Sequence, residues 1–127
     1  MPQSAMNTLL FRRNYTNDER AFHQRADEYF NKLVDTLEDI GDKIQLDGYD
    51  VAYSSGVLTL ALGKDGVFVL NKQPPNKQIW LSSPVSGPKR FDHMGGNWVS
   101  SRDKESLKSL LDAELSAILK MPIETPN

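Results

Sequence analysis

Residues 49–72 read YDVAYSSGVLTLALGKDGVFVLNK, three apolar-rich runs separated by two tight turn signals. The runs cover 49–54, 57–62 and 67–72. Ser55-Gly56 between the first two is a hairpin signal, and Gly63 to Gly66 is a second tight turn. Within the middle run, Leu58, Leu60 and Leu62 share one face by alternation, while Val57, Thr59 and Ala61 share the other. Connections this short cannot carry a parallel crossover, so consecutive strands must pair antiparallel as a meander. Beyond it, Pro74-Pro75-Asn76 interrupts pairing and a fourth strand follows over 77–82. Two more short strands are expected over 89–93 and 97–100, with Gly95-Gly96 turning between them.

Helical patterns flank this strand region. Thr16 with Glu19 has the T-x-x-E form of a capping box. Phe22, Ala26, Phe30, Leu33, Leu37 and Ile40 then recur at the spacing of one buried stripe, and Gly41 stands where that helix is expected to end. A second helix is expected over 103–120, with Leu107, Leu110, Leu111, Leu115, Ile118 and Leu119 as its stripe and Pro122 as its stop. Both stripes need burial, and the economical solution lays both helices on one sheet face. The expectation is an α+β two-layer sandwich in α-β-β-β-β-β-β-α order, two roughly parallel-lying helices on an antiparallel sheet of five to seven strands. Its other sheet face is then open to solvent or to a partner. Residues 16–121 form the domain, 122–127 a short tail and 1–15 a flexible arm. The arm holds Leu9, Leu10, Phe11, Arg12 and Arg13 with no acid before residue 15, which reads as a transit-peptide remnant or a tag-like segment.

The chain has 127 residues, 39% hydrophobic and 25% charged, an ordinary soluble composition with no apolar run near the ~20 residues of a membrane span. It has no cysteine, so disulfides, thiolate nucleophiles and cysteine-held metal clusters are excluded. Phosphate-loop, dinucleotide, nucleophile-elbow and zinc-protease motifs are absent, and no pattern of adjacent aromatic platforms points to nucleic acid. The formal net charge of -2 hides an asymmetry. Residues 17–50 hold ten acids against four bases, a net of -6, whereas 71–104 hold six bases against two acids, a net of +4. A bipolar surface can orient a charged partner, although two unrelated solvated faces give the same pattern.

Two sites stand out. Residues 71–88 read NKQPPNKQIWLSSPVSGP, with the amides Asn71, Gln73, Asn76 and Gln78 around Trp80. If Ile79 and Leu81 face the helices, Trp80 faces out, and tryptophan is among the residues that most often dominate interface energy. The competing account packs Trp80 beneath Arg90 as a cation–π pair. For Trp98, core packing is the expectation. The second site is a ridge of Asp27, Glu28, Asp35, Glu38, Asp39 and Asp42 on the exposed face of the first helix. It reads as a solvated face or as a loose surface site for hard or borderline cations such as Fe²⁺. His23, one turn before Asp27, could share such a cation, whereas His93 is expected at a surface or interface.

These residues carry a resemblance. Asn71-Lys72-Gln73, Pro75 through Leu81, Ser83-Pro84 and Ser86-Gly87-Pro88 leading to Arg90 match the central motif of the frataxin family. So do Tyr49-Asp50-Val51, Ser55 to Thr59, Asn97-Trp98-Val99, the acidic first helix and the helix order, over residues 17–120. The resemblance implies a protein of the mitochondrial matrix in iron–sulfur cluster assembly. It would bind the cysteine desulfurase complex and its scaffold protein, promote sulfur transfer and hold iron (Fe²⁺/Fe³⁺) weakly, as a monomer or an iron-induced oligomer. A ferroxidase or iron-storage role is the alternative. By position, iron falls to the ridge together with Asp50 and His23, and partner binding to Asn71, Lys72, Gln73, Gln78, Trp80, Arg90, Asn97 and Trp98. No catalytic residue, organic cofactor, nucleic acid or membrane is implied. His23, Asn31 and Gly48 stand where acids are common in the family, which reduces the carboxylate count. The chain ends soon after Lys120, which is expected to leave the gap between the helices poorly covered and lower stability.

Overall fold

The computed structural model describes residues 3–127, with side chains from residue 18 onward. The side chains of the arm expected over 1–15 and of Thr16 lie outside the described residues, and the helix expected to start at Thr16 begins instead at Gln3. Two helices, α1 (Gln3–Lys43) and α2 (Leu107–Leu119), flank six strands. These are β1 (Tyr49–Ser54), β2 (Val57–Leu62), β3 (Val67–Gln73), β4 (Gln78–Ser83), β5 (Gly87–Met94) and β6 (Asn97–Ser100). They form one antiparallel sheet in sequence order, the expected meander. Ser55 and Gly56 both take positive φ, 51° and 76°, the backbone of a two-residue hairpin whose twist matches its strands.

One sheet face and both helices share a single core. Leu58, Leu60 and Leu62 of β2, Phe68 and Leu70 of β3, and Ile79 and Leu81 of β4 are all buried, as are Phe91 and Trp98. Against them lie Phe22, Ala26, Tyr29, Phe30, Leu33, Leu37 and Ile40 of α1 and Leu107, Leu110, Leu111 and Leu115 of α2. Ile118 and Leu119 are only partly buried. Each fully buried side chain of this size contributes about 1.5–3 kcal/mol of burial free energy, so the helix stripes rather than helix propensity hold the layers together.

Several boundaries differ from expectation for local reasons. Helix α1 continues through Gly41 to Lys43, because Gly41 answers a packing need instead of ending the helix. A Cβ there would lie 2.6 Å from the Tyr49 ring, whose hydroxyl donates to the Leu37 carbonyl at 2.5 Å. Helix α2 begins at Leu107 rather than at 103, since Ser106 is its cap, accepting from the Ser109 amide at 3.0 Å. Asp103 instead accepts from the Glu105 amide at 3.1 Å in the preceding turn, and Ser106 still bridges Val99. Strand β3 runs one residue further and β4 starts one later, because Pro74–Asn76 forms a short 3₁₀ turn closed by Lys77 at φ 51°.

The C-terminal residues depart furthest from the expected tail. Ile123 and Thr125 are buried at 6% and 3% exposure. Asp112 Oδ1 accepts from the Thr125 amide at 2.7 Å and its hydroxyl at 2.8 Å, and Lys108 Nζ donates to the Thr125 carbonyl at 2.7 Å. The Ile123 amide donates to Ser116 Oγ at 3.0 Å. A few residues thus cover part of the core edge that the sequence reading left bare.

Candidate functional site: the open sheet face

Alternation turns the second sheet face away from the helices, and register decides which residues meet there. Trp80 lies opposite Asn71 on β3 and Arg90 on β5, and Asn71 lies opposite Val57 on β2. One strand-pair further, Gln73, Gln78, Asp92 and Val99 form a second row. The amide strand predicted to face out therefore does so, with Ile79 and Leu81 buried beneath it.

Trp80 is half-buried and held on two sides. Its indole Nε1 donates to Gln78 Oε1 at 2.9 Å, and Gln78 Nε2 donates to Asp92 Oδ1 at 3.0 Å. The Arg90 guanidinium carbon sits 4.5 Å from the Trp80 ring centroid. The cation–π account and the outward-facing account are thus both true, because Arg90 shares the outer face instead of covering Trp80 from within. Asn71 Nδ2 lies 3.5 Å from Gln73 Oε1 at the margin of this network. Asp92 was missed by the sequence reading, although its alternation with buried Phe91 carried the signal. The outer face also exposes Val57 and Val67, at 41% and 44%.

Two residues expected on this surface point elsewhere. Trp98 is 3% exposed and packs in the core against Phe22 and Tyr29, at centroid distances of 6.1 and 6.3 Å. It sits opposite His93 on the inner side of β6, so the core reading of Trp98 holds and direct partner contact does not. Lys72 pairs across the sheet with buried Ile79 and so projects toward the helices, where its Nζ lies 2.6 Å from Asp27 Oδ1. Asn97 stays on the outer face, partly exposed at the β5–β6 end.

The acidic ridge is not one array. Asp27 is engaged by Lys72, and Glu28 pairs with Lys32 at 3.1 Å in a largely exposed i,i+4 contact. Glu38, Asp42 and Asp50 line a shallow acidic hollow of about 730 Å³ between the end of α1 and β1, joined there by Asp47, which the sequence reading passed over. Asp35 and Asp39 are exposed outside it. His23 sits edge-on to Phe22 at 5.5 Å. Among the described residues, no three His, Asp or Glu side chains converge to hold a metal ion. The His93 imidazole is pushed below its ordinary range, first by burial and then by the Arg25 charge, which favours its neutral form. No helix among the described residues is long and apolar enough to cross a membrane.

This geometry has close parallels. The model of the frataxin-like domain matches residues 15–121. Mitochondrial frataxin of Arabidopsis thaliana is 47% identical over 108 residues, which are 84% of this chain and 58% of that protein. The mitochondrial frataxin homologue of Schizosaccharomyces pombe is 43% identical over 115 residues, 89% of this chain and 73% of the relative. A trimeric frataxin from Saccharomyces cerevisiae, complexed with ferrous iron, superposes with a TM-score of 0.70 at 45% identity, covering 76% of this chain and 86% of that one. With the two-helix, six-strand architecture matching as well, the chain belongs to the frataxin family.

Proposed function

We propose that this protein is a non-enzymatic, iron-binding activator of mitochondrial iron–sulfur cluster assembly, working in the matrix. The open face around Trp80 docks on the cysteine desulfurase–scaffold complex and promotes sulfur transfer. Iron is cargo, held weakly at surface carboxylates, with the hollow of Glu38, Asp42 and Asp50 as the favoured place on this chain. The mitochondrial names of the relatives and the ferrous complex of the yeast protein support this reading. That neighbour's trimer makes an iron-induced oligomer of an otherwise monomeric chain a consistent addition.

The observation that carries the proposal is the half-buried Trp80, fixed by Gln78 and Arg90 on a sheet face that no element of the described fold covers. A large aromatic already ordered before contact loses little entropy on binding, which is what an interface anchor requires. The test is Trp80→Ala in a reconstituted cluster-assembly reaction at controlled iron. Truncating an anchor costs about 2 kcal/mol or more, so affinity for the desulfurase–scaffold complex is expected to fall at least ~30-fold, with loss of stimulation. Unchanged binding and rate would overturn the proposal. Changing Glu38, Asp39 and Asp42 to amides is expected to weaken Fe²⁺ binding while leaving docking intact. The ferroxidase alternative predicts instead that this triple change abolishes Fe²⁺ oxidation.

A further inference from the structure

The outer sheet face carries a concavity of about 650 Å³, within the range of small-molecule sites. Val69, Trp80 and Pro88 line it together with Arg90, Arg102, Ser82 and Ser101. Trp80 and Arg90 come from paired strands β4 and β5, whereas Arg102 reaches the same hollow from the turn after β6. Among the described residues neither guanidinium is in an ion pair. The acids nearby make their contacts to other groups. Asp92 accepts from Gln78, and Asp103 pairs with Lys89 at 3.0 Å, a contact that holds its carboxyl down near a pKa of about 2. Two positive charges outside any ion pair, two hydroxyls and apolar side chains therefore line one hollow.

We propose that this hollow binds a small organic phosphate, a monoester with a compact apolar body. Guanidinium forks match phosphate oxygens in geometry, and two of them match the nearly dianionic monoester at neutral pH. Ser82 supplies a hydroxyl donor to a remaining oxygen, and Ser101, whose Oγ donates to the Arg90 carbonyl only at 3.5 Å, can turn to supply a second. The apolar body covers Val69 and Pro88, which a free inorganic ion cannot do. Since the site shares Trp80 and Arg90 with the docking surface, the bound ester competes with the partner. That consequence rests on the docking proposal, whereas the binding itself does not.

The experiment is an amide and indole NMR titration of the full chain with phenyl phosphate, in parallel with benzoate, inorganic phosphate and benzyl alcohol. The two tryptophans make an internal control, because the Trp80 indole lines the hollow and the Trp98 indole is buried on the other face. Phenyl phosphate is expected to shift the Trp80 indole and the amides of Val69, Ser82, Arg90 and Ser101 saturably, leaving the Trp98 indole still. Arg102→Gln is expected to weaken binding about 3–10-fold, a charge-assisted contact discounted for exposure and salt, without altering the remaining spectrum. Arg90→Gln with Arg102→Gln is expected to abolish it. Equal affinity for benzoate, inorganic phosphate or benzyl alcohol would overturn the assignment of ligand class. Shifts scattered over lysines outside the hollow, or a double variant that titrates like the parent, would overturn the site. Competition is read separately, as a phenyl phosphate-dependent loss of desulfurase–scaffold binding. Saturable titration with no effect on an otherwise intact complex would overturn the competition alone, and absence of any complex would count only against the docking proposal.

Discussion

Removing the Asp112 carboxylate should undock the C-terminal residues and cost the fold about 2–3 kcal/mol. Asp112 Oδ1 accepts two hydrogen bonds from Thr125, and Oδ2 accepts from Lys108 Nζ at 2.8 Å. Hydrogen bonds to a charged group contribute roughly 1.5–3 kcal/mol each, but Asp112 is partly exposed and Lys108 keeps the Thr125 carbonyl, so simple addition overstates the loss. A ceiling comes from what undocking exposes, chiefly Ile123, worth about 1.5–3 kcal/mol of burial. For a domain of this length each kcal/mol moves Tm by roughly 3–5 °C, so Asp112→Ala should melt roughly 6–15 °C lower. Thr125→Val keeps the shape and removes only the hydroxyl, and a double-mutant cycle should give a coupling above ~0.5 kcal/mol. The pH dependence follows from the same contacts. Burial works to raise the Asp112 carboxyl, yet the hydrogen bonds from Lys108 and Thr125 outweigh it and leave it below its ordinary value. A depressed folded-state pKa gives stability that is present above the unfolded value near 4 and is lost as pH falls through the folded value. Asp112→Asn should therefore lose less stability than the parent as pH falls below about 4. Additive losses for Asp112→Ala and Thr125→Val, or a loss under ~0.5 kcal/mol for the former, would refute the reasoning.

Gly41→Ala should destabilise the fold by about 1–3 kcal/mol in denaturant unfolding, despite alanine's better helix propensity, because its Cβ collides with the Tyr49 ring. An unchanged or raised midpoint would mean the ring moves freely. Lys72→Met should cost at most about 1 kcal/mol in thermal unfolding, since it breaks only the half-exposed pair with Asp27, and should disturb partner binding far less than Trp80→Ala. Trp98→Ala should lower stability by about 3–5 kcal/mol, the cost of a large core cavity, and a variant destabilised by less than 1 kcal/mol would contradict its burial.

What was legible in the sequence is what alternation and helical spacing encode directly. Leu58, Leu60 and Leu62 fall on one face of β2, and the α1 stripe from Phe22 to Ile40 is buried throughout. What stayed hidden depends on contacts between residues distant in sequence. Gly41 looked like a helix end because the Tyr49 ring packed against it is invisible locally. Lys72 sits among surface amides, but its register opposite Ile79 sends it to the helix side. The C-terminal residues carry no periodic signal, and only their hydrogen bonds to Asp112 and Ser116 turn them into part of the domain. Helical spacing placed the carboxylates on one helix face, yet the hollow that gathers Glu38 and Asp42 needs Asp47 and Asp50 from beyond the helix.

The Asp27–Lys72 contact bears on how the two proposed sites relate. An acidic helix and an amide-rich strand could act as independent surfaces, since they lie on opposite sides of the sheet. Yet Lys72 sits on β3 between Asn71 and Gln73, both facing the open side, while its own ammonium lies 2.6 Å from a ridge carboxylate. The backbone at Lys72 is also tied to the β1–β2 hairpin, its amide donating to the Gly56 carbonyl at 2.8 Å. A charge change at Asp27 therefore acts on a strand position whose two neighbours belong to the proposed docking face. The coupling this permits is limited to one half-exposed ion pair, about 1 kcal/mol, or a factor of about five in affinity. If both proposed sites are real, cation occupancy at the ridge would tune docking on that scale rather than switch it, because Trp80 is held by Gln78 and Arg90 whether or not Asp27 is engaged.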